Sequence, residues 1–321
     1  MPKLSQFGVK SKQIKDLIFV AAILVIVVPS WVFSSHTTKI YVDDDASGVQ
    51  DGSSEHPYKT IKKAMEGASK NAEIHIAKGT YAENVDLKEG VEIYGESMTG
   101  VVIKASDSDE AVVTMADDTV LNKVTVKDGR YGVRVKNDAK ASISKCLIKN
   151  NSRNGVFIEK DGVKKSRMVS VSNSKITDND GTGVYAQKRR LSLTENEIYN
   201  NDGDGVDIEG GSIAWIADNK INDNDKSGMK LRVDGSEIWT KSNSIRNNQR
   251  EGVEISFKGG VGRIDIAKTK IIGNKRYGVA RVQRFVGNAP VAAWNRYLTL
   301  NTNNTIADNN DGNISPVIII N

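Results

Sequence analysis

The sequence is short of most of what staples, switches or catalyses. Its single cysteine, Cys146, excludes an internal disulfide and stands where Asn or Ser stands in neighbouring units, which marks it as a small core residue. All three histidines, His36, His56 and His75, lie in the first quarter of the chain, so nothing after them can supply an imidazole. Charge of one sign is also scarce. The formal net charge is +5, but Lys3, Lys10, Lys12 and Lys15 against Asp16 contribute +3 of it, leaving +2 for the rest. That balance excludes the concentrated basic face a nucleic-acid partner needs. There is one long apolar run, LIFVAAILVIVVPSWVF from Leu17 to Phe33, preceded by lysines and followed by Ser34, Ser35 and His36. It suits a short bilayer span with the basic tail (1–16) inside, an anchor over 17–34 and everything after about residue 36 outside the cytoplasm. The alternative is a signal peptide cleaved after Ser34, with Val32 and Ser34 small enough at the −3 and −1 positions, which would leave the remainder secreted.

What the chain does have is glycine, asparagine and repetition. Only 5 prolines accompany 28 glycines, a balance suited to short strands and frequent turns. One pattern recurs three times: Asn196-Glu-Ile198 to Gly205-Val-Asp207-Ile208, Asn219-Lys-Ile221 to Gly228-Met-Lys230-Leu231, and Asn243-Ser-Ile245 to Gly252-Val-Glu254-Ile255. A fixed period of 22 to 24 residues with strand-type alternation inside each unit predicts a solenoid whose units bury their apolar faces only against neighbours. The pairs Asp128/Gly132, Asn151/Gly155, Asn179/Gly183, Asn201/Gly205, Asn224/Gly228, Asn248/Gly252, Asn274/Gly278 and Asp308/Gly312 mark its corners. Asn and Gly both tolerate left-handed backbone there, and stacked Asn side chains can form a hydrogen-bonded ladder. Corner-to-corner spacings of 28 and 34 place insertions at Glu159 to Arg167 and at Arg281 to Tyr297, the latter holding Phe285 and Trp294. Upstream, Ile61, Ala64, Met65 and Ala68 after Pro57 predict a short amphipathic helix over 57–69 that covers the open edge of the first rung.

Between residues 40 and 96 the motifs Tyr41-Val-Asp-Asp, Asp51-Gly-Ser, His56-Pro-Tyr-Lys-Thr-Ile, Gly79-Thr-Tyr-Ala-Glu-Asn and Ile93-Tyr-Gly resemble a domain of unknown function that opens many exported pectin-lyase-like proteins. The whole of 37–321, with its repeats over 120–321, resembles the right-handed parallel β-helix of the pectin-lyase-like superfamily. The expected fold is therefore all-β, a right-handed parallel solenoid with an N-terminal capping helix, preceded by one transmembrane helix. The resemblance implies polysaccharide binding, lysis, hydrolysis or epimerisation outside the cell. It transfers no catalytic residues, since neither an Asp-Pro-His nor an Arg-x-Pro-x-x-Arg element occurs.

The strand period of two then sorts the walls. After the corner glycine the inward residues are Val206 and Ile208, Met229 and Leu231, Val253 and Ile255, so Arg134, Phe157, Tyr185, Asp207, Lys230, Glu254 and Ala280 face out. Lys136, Glu159, Gln187, Glu209, Arg232 and Ser256 form the next outward column. On the second readable strand Ser142, Ser170, Ser192, Trp215, Trp239 and Asp265 face out, placing two tryptophans on adjacent rungs. Exposed aromatic area of this kind suits a sugar's C–H face, unless the loop carrying Phe285 and Trp294 covers it. Asp207 and Glu209, about 7 Å apart on one face by strand geometry, are the candidate catalytic carboxylates; the bland alternative is an ion-pair ladder with Lys230. Tyr185, Trp215, Lys230, Arg232 and Trp239 are the candidate substrate-binding residues. No metal or cofactor is expected, with Ca²⁺ at the corner residues Asp178, Asp180, Asp202 and Asp204 as the alternative to plain turn formation. The sequence thus predicts an exported, membrane-tethered polysaccharide-binding coil; a lyase or glycosidase, and a structural surface protein without a small ligand, are the competing expectations.

Overall fold

The computed structural model describes residues 37–160, 167–284 and 294–320. The expected anchor over 17–34, the basic tail and Phe285 lie outside them. Among the described residues no helix is long and apolar enough to cross a membrane.

Each repeat contributes one short strand to each of three parallel sheets. The first sheet has eleven strands, from Lys39–Val42 through Arg190–Thr194, Ile213–Ala217 and Glu237–Lys241 to Leu298–Leu300. The second has ten, from Gly79–Ala82 to Thr305–Ala307, and the third has ten, from Val85–Asp86 to Gly312–Ile320. Every neighbour in all three is parallel and pairs with the equivalent strand of the next turn, so the core is built from columns of like residues. In the second sheet Ile148, Ile176, Ile198, Ile221, Ile245, Ile271 and Ile306 stack in register, and Ile148 to Ile271 are fully buried. The expected inward residues of the other two sheets are buried as well.

The corners follow a sharper rule than the sequence suggested. The residue in left-handed backbone precedes each ladder asparagine: Asn150, Asp178, Asn200, Asp223, Asn247 and Asp308 have φ between 53° and 56°, and Gly273 takes the same role at 72°. The following asparagine turns inward. Asn151, Asn179, Asn201, Asn224, Asn248 and Asn274 each donate Nδ2–H to the next rung's Asn Oδ1 at 2.8 to 3.0 Å, ending on Asn309. A second ladder at the first-to-second-sheet corner runs through Ser174, Asn196, Asn219, Asn243 and Thr269. Cys146 occupies its first step, its N–H donating to Ser174 Oγ at 3.1 Å, as its place in the repeat predicted. The corner glycine serves close approach. A Cβ on Gly205 would lie 2.5 Å from Ile221 Cγ2 and 2.6 Å from the Gly228 carbonyl.

The capping helix spans Ile61–Gly67 and packs Ile61, Ala64 and Met65 onto the first rungs. It is shorter than 57–69 because Thr60 is its N-cap, with Oγ1 accepting from Lys63 N–H. Glu83 accepts from the N–H groups of Ile61 and Lys62, so Pro57 belongs to the approach loop. Both insertions leave the third-to-first-sheet corner as expected, but Arg281 and Arg284 belong to the strand Tyr277–Arg284 and not to a loop.

Candidate functional site

The outward face of the third sheet carries the densest polar chemistry. Its register runs Arg134, Phe157, Tyr185, Asp207, Lys230, Glu254, Ala280, as the period of two predicts. Ala280 and Ser256 are nevertheless buried, the neighbouring strand Tyr277–Arg284 being irregular where it meets Gly312–Ile320. At one end the rings of Tyr131, Phe157 and Tyr185 stack at centroid separations of 4.7 and 5.5 Å, with their planes nearly parallel. They line a groove of about 690 Å³ together with Arg153, Asn154, Asp180 and Gln187.

One rung on, the aromatics give way to paired charges. Lys230 Nζ lies 3.1 Å from Asp207 Oδ2, and Arg232 3.4 Å from Glu209, which also accepts from Gln187 Nε2 at 2.7 Å. The two proposed carboxylates therefore each hold a cationic partner. Burial pushes the Asp207 carboxyl up to about 6, and Lys230 offsets this only in part. For Lys230 burial acts to lower the value, but Asp207, Asp204 and Glu254 together hold its ammonium above the ordinary range. Burial and the carboxylates of Glu209 and Asp207 push the Tyr185 hydroxyl up to about 12.

Two members of this cluster were not identified from sequence. Asp204 and Glu251, read as a turn former and not considered, are both buried. Burial raises the Asp204 carboxyl, and burial with Glu251 raises that of Glu254. The signal was present in the repeat: Asn154, Thr182, Asp204, Ser227 and Glu251 each precede a corner glycine. They form a stacked polar column, in which Asp204 accepts from Ser227 N–H and the Ser227 hydroxyl donates to Glu251. Among the described residues only Asp43, Asp44 and Asp45 bring three carboxylates within 4.8 Å of one another.

Trp215 and Trp239 do not share this face. Their strands belong to the first sheet, because the chain turns at Gly210, Gly211 and Ser212 before Trp215 is reached. A single wall of Tyr185, Asp207, Lys230, Arg232 and both tryptophans is therefore not formed. The tryptophans do point outward and stack at 5.4 Å, with Arg190 over Trp215 at 5.0 Å and Trp239 39% exposed. Trp294 does not cover them; it is buried against Phe257.

Three stacked parallel sheets, buried Asn ladders and outward-facing grooves define a right-handed parallel β-helix of the pectin-lyase-like type. The chain belongs to the right-handed beta helix family, whose region model matches residues 99–229 and 162–314. No curated protein matches it in sequence. Among solved structures it is similar to the A-module of the mannuronan C-5 epimerase AlgE4 of Azotobacter vinelandii, at TM-score 0.54 and 14% identity over 87% of this chain and 97% of that one. Pectate lyase Pel9A gives 0.52 and 13% over 87% and 79%. The enzymatically active domain of bacteriophage CBA120 tailspike protein 2 gives 0.54 and 15% over 86% and 51%. At these identities the likeness is one of fold.

Proposed function

We propose that this protein binds an extracellular or cell-surface polysaccharide along the outer face of its third sheet. The observation that carries the reading is the stack Tyr131, Phe157, Tyr185, which runs along a groove directly into the Asp207–Lys230 and Glu209–Arg232 pairs. Aromatic rings offer apolar area to the C–H face of a sugar, and the charged rung offers donors and acceptors to hydroxyl or carboxylate groups. The names of the similar structures, an epimerase of mannuronan and a lyase of pectate, support an acidic chain as the first ligand to try. Export with tethering through residues 17–34 is part of the same proposal, since a coil that reads surface glycans must stand outside the cytoplasm.

The test is isothermal titration of the full chain with oligogalacturonate and oligomannuronate. Tyr185→Ala and Lys230→Ala should each weaken binding about tenfold or more, the scale of a lost aromatic platform or ion partner. Affinity unchanged from the native chain in both variants would refute the assignment. A second reading, a lyase or glycosidase, is favoured by one arrangement: Asp207, its carboxyl pushed up to about 6 by burial, lies 3.1 Å from the Lys230 ammonium, the poise expected of a general acid or base. Unsaturated or reducing ends released from pectate or alginate, and abolished in Asp207→Asn, would establish it.

A further inference from the structure

The first sheet has an outward face of its own, and its columns can be followed strand by strand. One runs Tyr41, His75, Tyr94, Asn122, Ser144, Ser172, Thr194. The other runs Val120, Ser142, Ser170, Ser192, Trp215, Trp239. Aromatic stacks thus stand at both ends. Tyr41, His75 and Tyr94 stack at 5.4 and 5.7 Å at one end, and Trp215 and Trp239 at the other. Of the four rungs between them, the first carries Asn122 and Val120, and the other three carry only Ser or Thr in both central columns. Asn122 Nδ2 donates to Ser144 Oγ at 2.6 Å. The half-buried hydroxyls of Ser142, Ser170, Ser172, Ser192 and Thr194 find no protein partner among the described residues.

The floor is therefore lower than its ends, and it opens at the Tyr94 end into a cavity of about 480 Å³ lined by Tyr41, His75, Tyr94, Glu96, Asn122 and Lys123. That volume lies in the range of small-ligand sites. Five strand spacings separate the rung of Tyr94 from that of Trp215, about 24 Å at 4.8 Å each. The charge at the cavity is mixed but carries several carboxylates. Glu73 is bridged to Lys39 and His75, Glu92 accepts from the Tyr94 hydroxyl, and Glu96 pairs with Lys78. A polyanion would meet those carboxylates and then a floor with no cation in its central columns.

We propose that this face is a second carbohydrate surface, a track for a linear uncharged polysaccharide whose end is received among Tyr41, His75, Tyr94 and Asn122. The hydroxyl floor supplies paired donors and acceptors to sugar hydroxyls along the chain, and the outward apolar edges of the stacked rings hold it at the two ends. The inference stands on a different sheet from the proposed acidic-glycan groove and does not depend on it.

Titration of the full chain with cellohexaose, xylohexaose and mannohexaose, each against its triose, tests the track. At least one hexaose should bind at least tenfold more tightly than its triose, because only the longer chain spans floor and cavity. The paired change Ser170→Val and Ser172→Val, which valine's strand preference should let fold normally, is expected to weaken that binding tenfold or more, as is Tyr94→Ala. Tyr185→Ala should leave it unchanged. Absence of hexaose binding, binding unmoved by the serine pair in a variant with an unchanged circular dichroism spectrum, or loss with Tyr185→Ala would each overturn the proposal. The acidic-glycan reading is judged separately, by its own ligands and variants.

Discussion

At the scale of single residues, the structure separates demands that the sequence shows only as a pair of corner letters. Left-handed backbone falls on the residue before the ladder asparagine, and close approach falls on the glycine after it. At Gly205 the obstacle is the backbone carbonyl of Gly228, which cannot swing aside. Asp207 shows the same layering of causes. Its carboxyl is buried more than its lysine compensates, so its folded value of about 6 stands above the ordinary aspartate value of 3.8. Between those values the unfolded chain has already released the proton while the folded chain retains it, so the contribution to stability falls as pH rises. From pH 5 to pH 7 the loss should be about 1 kcal/mol. Thermal melts of the protein and of Asp207→Asn should therefore diverge across that window, the native protein losing stability relative to the variant. A gap that does not change with pH would show that Asp207 titrates in the ordinary carboxylate range.

At the scale of elements, the Asn ladder is the strongest local determinant. Asn224 accepts from both the backbone N–H and Nδ2 of Asn201, and donates to Asn248 and to the carbonyls of Ile198 and Asn222. Removing its amide strands buried donors on Asn201, each costing roughly 1–3 kcal/mol. Asn224→Ala should accordingly destabilise the protein by about 2–4 kcal/mol in denaturant melts, far more than an exposed substitution such as Lys220→Ala. A loss below 1 kcal/mol would mean that water enters the corner and takes over the ladder's bonds. Elements of this kind were legible in advance because they repeat: period, inward columns and the placement of Cys146 all follow from residue spacing. The helix was legible by its apolar face, but its start was not, since it depends on Glu83 folding back onto the N–H groups of Ile61 and Lys62. The same limit explains the tryptophans. Their outward direction follows from the period of two, yet the sheet they belong to depends on how the chain turns at residues 210–212. Of the stacked rings, Phe157 and Tyr185 were legible as neighbours in the outward column, whereas Tyr131 was not, because Arg134 holds that register on its rung.

At the scale of the whole coil, each turn touches little beyond the turns before and after it, so stability is a sum of turn and interface terms more than of long-range ties. The described coil has strand pairing on both sides at every interior rung, and a strand neighbour on one side only at the six sheet ends: Lys39–Val42 and Leu298–Leu300, Gly79–Ala82 and Thr305–Ala307, and Val85–Asp86 and Gly312–Ile320. The helix Ile61–Gly67 shields the N-terminal rungs, whereas Gly312–Ile320 exposes Ile314, Ile319 and Ile320. This arrangement makes a stiff ruler: two flat faces hold their residues at strand spacing without a domain motion to bring them together. It also makes opening local. Amide hydrogen exchange should show the slowest exchange from about Val184 to Ile255, where both ladders are continuous, and the fastest along Gly312–Ile320. Asn224→Ala should speed exchange in the turns that contact it, between about residues 196 and 255, while leaving Ile74 to Ile93 nearly unchanged. If that variant accelerated every strand by the same factor, the coil would be opening as one unit, and the two proposed binding faces would be coupled through it instead of standing as independent surfaces.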